Sequence, residues 1–294
     1  MSTQSQAPVL LAVAHEGWEA AARFAVAEAR MRGTGLHLVH VGELAPGMPQ
    51  AILIADVDLS GPGRQLLSEV REQVSALDPD LRVTTQFEMG SPVSTLVELG
   101  RGAAVVVTQH RDLSAWARIV LRSVSAGVAA RASVPVVAVP EGWTAPEQGR
   151  VVVGVDDPAT AAPVVQAGLR AARARGVGLD VVHGWVMPVG YEQVVFAAED
   201  QERWIDEVTA SLEELATRVV DGADDVDVRV RVLRAHPADA LHEAAEGACL
   251  VLMGRHEPLI PVGSYLGSVA RAVFRDAPCP VGLVDLHPHR GSQG

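Results

Sequence analysis

The sequence contains no lysine and no asparagine, and each absence excludes a class of chemistry. All 24 basic residues are arginines, so a Walker-type phosphate loop, which ends in Gly-Lys-Ser/Thr, cannot form. Schiff-base and pyridoxal chemistry is excluded as well, because both need a lysine amine. Without asparagine the chain has no acceptor for N-glycosylation.

Cysteines and long apolar runs are also scarce. Cys249 and Cys279 are the only cysteines, too few for a disulfide framework, and they predict a reducing, cytoplasmic location. The longest apolar runs, such as 103–108 and 134–140, fall far short of the roughly 20 residues of a membrane span. The polar start, Met1–Pro8, lacks the basic residues of a secretory signal.

The chain is long enough to build a substantial core. It has 294 residues, of which 48% are apolar and 20% charged, which is typical of two ordinary globular domains. Aromatic residues make up only 4%, so the core must consist of Val, Leu and Ala. The formal net charge of −12 argues against a nucleic-acid surface, because phosphate backbones need a basic face.

The sequence is one unit written twice. Three segments recur in the same order at an offset of 142 to 145 residues. The recurring pairs are Val9–Ala14 with Val151–Asp156, Leu36–His40 with Leu179–His183, and Ser133–Val139 with Pro278–Val284. Residues 141–149 carry Gly and Pro without periodicity and predict a linker. We therefore predict one domain over 1–140 and a second over 150–294.

Each copy alternates short apolar runs with longer amphipathic stretches. In the second copy, strands are predicted near 151–156, 178–183, 226–232, 248–253 and 280–285, and helices near 159–174, 198–220, 237–246 and 265–277. The Val/Leu runs are nearly continuous, which is typical of strands buried on both faces of a parallel sheet. We therefore predict an α/β fold in which each domain is a five-stranded parallel sheet with helices on both faces.

Such sheets bind ligands at the carboxyl ends of the strands, where the strand order reverses. In the second copy the first strand is predicted to end at Asp156 and the fourth at Gly254. The loop after Gly254 closes on Gly267 and Ser268 at a helix start, where free N–H groups and the helix dipole attract an anion. Arg255 can add charge-assisted hydrogen bonds. Taken singly, these residues also have structural interpretations, with the glycine as a turn residue, Ser268 as a helix cap and Asp156 as a cap of the next helix.

Together, these features resemble the universal stress protein family over nearly the whole chain, as two tandem domains. The resemblance rests on Val151–Asp156, on Val181-Val182-His183, on the loop from Gly254 to Ser268 and on Ala277–Val281. It implies a Rossmann-like fold of the adenine nucleotide alpha hydrolase type. It also implies binding of ATP or another adenine nucleotide.

The family's nucleotide signature is Gly, two residues, Gly, nine residues, Gly and then Ser or Thr. In the second domain, Glu257 replaces the second glycine, and a carboxylate there repels a polyphosphate. The second domain keeps the other four marks, so the resemblance implies a nucleotide site at Asp156, Gly254, Gly267 and Ser268, to which Arg255 can add positive charge.

The first domain departs further from that signature. Its replacements are Ala14 for Asp156, Gln109 for Gly254, Asp112 for Glu257 and Arg122 for Gly267, and only Ser123 is retained. An arginine in place of a glycine fills the space that a phosphate needs. We therefore expect this domain to bind no nucleotide and to act as a structural partner of the second.

The resemblance also implies how the domains associate. In this family the fifth strand commonly mediates dimer contacts, and two tandem copies can form that dimer within one chain. The candidate strands are Val134–Val139 and Pro280–Asp285, and their prolines suit edge positions. A homodimer of the whole chain is the alternative.

Other candidate groups have structural interpretations. His242 begins a fragment of a zinc-binding helix that lacks the second histidine, and His40 and His183 are predicted to be polar caps on the sheets. Trp185 can stack on a base or cover the edge of the core. It belongs to an unusually apolar connection, 184–198, which suits a pocket cover or an oligomer contact.

We therefore expect a cytoplasmic protein that senses or regulates the stress response through a nucleotide site, with no catalysis or metal of its own. An alternative is an interaction protein in which both sites are degenerate and segment 184–198 recruits a partner. A slow ATP hydrolase with Glu257 as base is the third hypothesis.

Overall fold

A computed structural model describes residues 6–43, 60–110, 124–186, 198–220, 225–255 and 266–286. The chain divides into two compact units, Met1–Trp143 and Thr144–Gly294, called domain 1 and domain 2 below. In the described part of the chain, no helix is both long and apolar enough to span a membrane.

Domain 1 is an α/β unit with five parallel strands. Its strands are β1 (Val9–Ala12), β2 (Leu36–Gly42), β3 (Val83–Met89), β4 (Val105–His110) and β5 (Val136–Pro140). Its described helices are α1 (Glu19–Arg32), α2 (Gly61–Leu77), α3 (Pro92–Gly100) and α4 (Val124–Ala129). The strand order is β3-β2-β1-β4-β5, and every neighbouring pair is parallel.

Domain 2 repeats this plan. Its strands are β6 (Val151–Gly154), β7 (Leu179–Gly184), β8 (Val228–Leu233), β9 (Leu250–Arg255) and β10 (Val281–Asp285). Its described helices are α5 (Ala162–Arg175), α6 (Ala198–Val220), α7 (Pro237–Ala245) and α8 (Ser268–Asp276). The order β8-β7-β6-β9-β10 is again all parallel, so each sheet winds outward in two directions from its first strand, and the predicted fold class is confirmed.

Valine-rich strands form the core of each sheet. Val9, Leu11, Val151 and Val153 are all fully buried, as their nearly continuous apolar runs predict. The first helix of each domain also ends in the same way. Gly33 and Gly176 take the left-handed conformation just after α1 and α5, at φ values of 62° and 65°, where a glycine avoids the Cβ penalty.

One predicted strand end is wrong. Strand β6 ends at Gly154, so Asp156 lies in the following loop and is exposed. The reason is local, because Asp156-Asp157-Pro158 begins a turn, and Asp and Pro are poor strand residues. Strand β9 runs one residue past its predicted end at Gly254. Arg255 therefore lies at the carboxyl end of this strand.

Candidate functional site

A cavity of about 250 Å³ lies at the carboxyl ends of the strands of domain 2. It is bordered by the ends of β6 and β9, the two strands between which the order reverses, as the general rule for such sheets requires. All five residues predicted for the nucleotide site line it: Asp156, Gly254, Arg255, Gly267 and Ser268. The fold thus brings together residues that are up to 112 positions apart.

The interior of the cavity is apolar. Side chains from three strands, from two helices and from the segments beside them contribute to it: Val155, Val164, Val182, Leu241, Met253, Leu266, Leu283 and Leu286. Most of these side chains are buried, so the cavity offers a dry surface to a flat, weakly polar group. None of them belongs to the nucleotide signature. From the sequence they could be predicted only as buried apolar residues of strands and helices, without a link to the site.

Two carboxylates lie at the mouth of the cavity, in the loop after β6. Asp156 and Asp157 are both exposed. The Oδ1 atom of Asp157 accepts a hydrogen bond from the Ala159 backbone N–H at 2.9 Å, and its carbonyl accepts one from the Thr160 N–H at 3.2 Å. Asp157 therefore shapes the turn, and Asp156 precedes it in the loop that borders the cavity.

The N-terminus of helix α8 borders the opposite side. Gly267 is the N-cap, with φ −61°, and no side chain caps the helix. A Cβ at Gly267 would meet no atom of the described residues within 4 Å. Among the described residues, neither backbone conformation nor packing therefore requires glycine here, and none of them fills the space beside it. The first-turn N–H groups, starting with that of Ser268, have no intrahelical partners and favour an anion.

Gly254 is required by packing. A Cβ on this residue would lie within 3 Å of three side-chain atoms of Leu286, which follows β10. The structure therefore gives Gly254 a role that the signature alone does not reveal, because it lets Leu286 close the floor of the cavity.

Arg255 is the only basic side chain among the described residues that line the cavity. Its Nη1 atom lies 3.3 Å from the Oδ1 atom of Asp285, at the end of the neighbouring strand β10. The Arg255 side chain is only 10% exposed. Burial lowers the pKa of Arg255, and the charge of Asp285 offsets part of that effect.

The corresponding region of domain 1 is built differently. Gln109 stands at the position of Gly254, and both polar atoms of its amide are buried without a hydrogen-bond partner in the described structure. A Cβ on Gly17 would lie within 3 Å of the Gln109 amide nitrogen and of the Glu141 Oε1 atom. These two side chains therefore pack over the loop that follows β1, at the end of the sheet where domain 2 has its cavity.

Two buried histidines hold matching places in the two domains. The Nδ1 atom of His40 lies 2.8 Å from the carbonyl oxygen of Val13, and that of His183 lies 3.0 Å from the carbonyl oxygen of Val155. Each ring therefore donates Nδ1–H to the carbonyl that follows the first strand. This contact ties the second strand to the loop beside the site, which is a structural role.

Trp185 does not line the cavity. Its ring centroid lies 4.8 Å from that of Trp204 on α6, and the guanidinium carbon of Arg234 lies 5.8 Å from the ring centroid. The preceding residue, Gly184, lines the cavity, so the tryptophan points away from the site. The geometry favours the interpretation that Trp185 covers the edge of the core.

The cysteines and His242 contribute no chemistry to the site. Cys249 and Cys279 are buried and free, and burial raises the pKa of Cys249 and raises that of Cys279 to about 12. Thiolates are therefore scarce at neutral pH. His242 is exposed on α7, and the described residues contain no group of three or more metal-ligating side chains.

Several residues of the sequence analysis lie outside the described residues. They are Asp112, Arg122, Ser123, Glu257 and most of segment 184–198.

A model of the Universal stress protein family matches residues 7–140 and again residues 148–285. The two matches confirm the tandem resemblance. A universal stress protein of Mycobacterium tuberculosis is 32% identical over 276 residues, which is 90% of this chain and 91% of that protein. One from Mycolicibacterium smegmatis is 29% identical over 286 residues, 90% of this chain and 92% of that protein.

The match is partial for a universal stress protein of Mycobacterium bovis. The two are 32% identical over 204 residues, which cover 68% of this chain and 64% of the length of that relative.

Solved structures share the fold at low identity. A universal stress protein from Archaeoglobus fulgidus aligns with a TM-score of 0.69 at 20% identity, over 97% of this chain and 100% of that one. A putative universal stress protein from Pseudomonas aeruginosa aligns with a TM-score of 0.61 at 15% identity, over 96% and 94% of the two chains. At these identities the likeness concerns the fold alone.

Proposed function

Because the chain belongs to the universal stress protein family, we propose that it is a stress-response sensor or regulator whose domain 2 binds ATP or another adenine nucleotide. The observation that supports this proposal is the cavity at the sheet's switch point, which Asp156, Gly254, Arg255, Gly267 and Ser268 all line.

Each residue of the proposed site has a physical role. The apolar interior takes the adenine, and Asp156 at the mouth accepts hydrogen bonds from a ribose hydroxyl or the adenine amino group. The open space above Gly267 lets a phosphate approach the first turn of α8, where Ser268 can donate its hydroxyl. Gly254 shapes the floor, and Arg255 is the one basic side chain among the described residues that line the cavity.

Domain 1 has no equivalent role in this proposal. Gln109 and Glu141 pack over the loop after β1, and a carboxylate there repels phosphate. Ala14 offers no carboxylate in place of Asp156. We assign domain 1 to structural support of domain 2.

Calorimetric titration of ATP into the full chain tests the proposal. We expect saturable heat for the wild type and a loss of about tenfold in affinity for Ser268→Ala, which removes a hydrogen bond to a charged group. Gly267→Arg should abolish binding, because its side chain fills the open space. The matched control is Ser123→Ala, the corresponding change in domain 1, which should leave the affinity unchanged. Absence of heat at millimolar ATP would contradict the proposal.

The proposal includes no catalysis. Of the two carboxylates in the loop after β6, Asp157 accepts from the Ala159 N–H in its turn and Asp156 is assigned to the ribose or adenine, so the proposal gives neither the role of a general base. Purified protein incubated with ATP and Mg²⁺ should release phosphate no faster than a Gly267→Arg control. Faster release that disappears in Glu257→Gly would instead support a slow hydrolase.

A second candidate function is a nucleotide-independent interaction protein. Two exposed apolar side chains favour it. Val186, near the start of segment 184–198, is 51% exposed, and Trp204, on α6, is 37% exposed. Affinity capture from a lysate with wild type and a Val186→Ser/Trp204→Ser variant tests it. A partner that is lost in this variant, but kept in Gly267→Arg, would support this function.

We also propose that the two domains pair within one cytoplasmic chain, through the segments Val134–Val139 and Pro280–Asp285. The family resemblance supports the pairing, and the two free cysteines support a reducing compartment. Sedimentation equilibrium should give the mass of one chain, and the mass of two chains would favour a homodimer.

A further inference from the structure

Arg255 and Asp285 form an ion pair at the edge of the cavity. The two residues are register partners at the carboxyl ends of the neighbouring parallel strands β9 and β10. Their side chains therefore leave the sheet side by side, and Nη1 of Arg255 lies 3.3 Å from Oδ1 of Asp285. In domain 1 the corresponding register partners are His110 and Pro140, so this ion pair is specific to domain 2.

The pair is largely removed from water. Arg255 is 10% exposed and Asp285 is 26% exposed. A buried guanidinium requires an anionic partner, because an uncompensated charge in such a place is strongly destabilising. Burial lowers the pKa of Arg255, and Asp285 opposes this effect. Asp285 therefore holds the arginine charged at the cavity and at the same time neutralises it.

This neutralisation decides how the cavity responds to phosphate charge. A phosphate that approaches Arg255 must either displace Asp285 or bind beside a pair with no net charge. Asp156 and Asp157 at the mouth add two further carboxylates, so the acidic groups around the cavity outnumber the basic one among the described residues. Each additional phosphate charge is then placed among carboxylates.

The size of the cavity points the same way. Its volume of about 250 Å³ is slightly below the usual range of ligand pockets, roughly 300–1,000 Å³, and its interior is apolar. Most of the binding free energy available there comes from burying a base and its sugar, and phosphates must lie at the mouth.

We propose that Asp285 is a specificity-determining residue, which cancels the charge of Arg255 and so makes the site bind the nucleoside part of the ligand with little gain from added phosphates. The inference rests on the proposed function of domain 2 and specifies its ligand class as adenosine and weakly charged adenine nucleotides. Arg255 contacts the ligand, and Asp285 acts through Arg255.

A double-mutant cycle on the full chain tests this role. Adenosine, AMP and ATP are titrated calorimetrically, with EDTA present so that no divalent cation screens the phosphates. In the wild type, ATP should bind no more tightly than adenosine. Asp285→Asn should raise the affinity for AMP and ATP roughly tenfold relative to adenosine, because the carboxylate that neutralises the arginine is removed. Asp285→Glu, which keeps the charge, should retain the wild-type ratios.

Making the Asp285→Asn change in a protein that already lacks Arg255 shows whether its effect depends on the ion pair or only on the loss of a negative charge. In Arg255→Gln, the additional Asp285→Asn change should alter the AMP-to-adenosine ratio less than twofold. An equal tenfold increase in both backgrounds would overturn the inference, because removal of a negative charge alone would then explain it. If Asp285→Asn does not fold, the wild type still decides, since ATP binding a hundredfold tighter than adenosine contradicts a neutralised arginine.

The same titrations distinguish the two proposals. If adenosine and ATP both bind but Asp285→Asn leaves their ratio unchanged, this inference fails and the nucleotide site remains. If neither adenosine nor ATP binds the wild type or any variant, the proposed function is wrong, and the inference, which depends on it, is wrong as well.

Discussion

At the scale of single residues, the two glycines of the proposed site have different physical origins. Gly254 is glycine because Leu286 packs where its Cβ would lie, whereas nothing in the described structure occupies the corresponding space at Gly267. The first is therefore a requirement of the fold, whereas the second meets no such requirement and fits the proposed close approach of a ligand to the backbone.

Alanine substitutions at these two positions should separate the roles. Gly254→Ala should lower the free energy of unfolding by about 1–3 kcal/mol, because it overpacks the floor. Gly267→Ala should cost less than about 1 kcal/mol, as expected for an N-cap, yet weaken ATP binding at least tenfold. Urea unfolding and calorimetry measure the two effects. A Gly267→Ala variant with unchanged affinity would remove the ligand-based explanation for this glycine.

His40 makes stability depend on pH. The ring is 3% exposed, and burial lowers its pKa, an effect that the carbonyl of Val13 opposes and the nearby His15 ring reinforces. A histidine with a lowered pKa in the folded state stabilises the fold above its unfolded value of about 6.5, and this contribution is lost as the pH falls toward the folded value.

The free energy of unfolding should therefore decrease between pH 7.5 and pH 5, by about 1.4 kcal/mol for each unit by which the pKa is lowered. His40→Gln should flatten this part of the curve, since an amide can donate to the same carbonyl but does not titrate. His242→Gln is the control, because this histidine is exposed on α7. An unaltered slope in His40→Gln would show that another group titrates.

At the scale of elements, the amino-terminal end of the domain 2 sheet is held by one arginine. Arg150, just before β6, donates from Nε to Asp180 of β7 at 2.6 Å and from Nη1 to Asp227 at 2.7 Å. Its Nη2 atom donates to the carbonyls of Leu179 and Asp227. Three strands are thus tied together at the end opposite to the cavity.

Arg150→Gln should lower the free energy of unfolding by about 1–3 kcal/mol, because several charge-assisted bonds at a half-buried site are lost together. Arg229→Gln is a matched control, since this arginine contacts Asp227 on the surface and should cost little. The guanidinium of Arg150 lowers the pKa of Asp227, so its contribution exists above the ordinary carboxylate pKa and disappears as the pH falls. Urea unfolding at pH 7 and pH 3 should show the difference between Arg150→Gln and wild type shrinking in acid.

At the scale of the whole molecule, two copies of one topology have diverged at one end of the sheet. Both domains keep the same strand order and the same glycine after the first helix. They differ where domain 1 places Gln109 and Glu141 and domain 2 places Gly254 and Leu286. Folding depends on the buried strands, so the site of one copy can degenerate without loss of the fold.

This asymmetry predicts one nucleotide per chain. Calorimetry should give a stoichiometry near one, and Gly267→Arg in domain 2 should remove all binding. A substitution in domain 1 is the control. Gln109→Ala should leave the stoichiometry at one. Two equivalent sites in the wild type would contradict the assignment of domain 1 as a structural partner.

The sequence by itself determined the repeat, the parallel α/β class and nearly all elements of domain 2. Helix α6 spans the predicted residues 198–220, and most of the other ends differ by only one to three residues. These features are predictable because burial imposes a local pattern on each strand and helix. The predicted strand end at Asp156 is wrong, because the strand stops two residues earlier, at Gly154, where the Asp-Asp-Pro turn begins to set the backbone conformation.

Only the tertiary structure decided what surrounds the signature residues. The Arg255–Asp285 pair, the packing of Leu286 on Gly254 and the closure of Gln109 and Glu141 over Gly17 all depend on strand register. Register sets which side chains of distant segments become neighbours, and these neighbours are known only once the strands have paired in the folded sheet. The composition therefore excluded a lysine-based phosphate loop, but only the packed sheet shows that Arg255, the basic residue of the proposed site, is paired with Asp285.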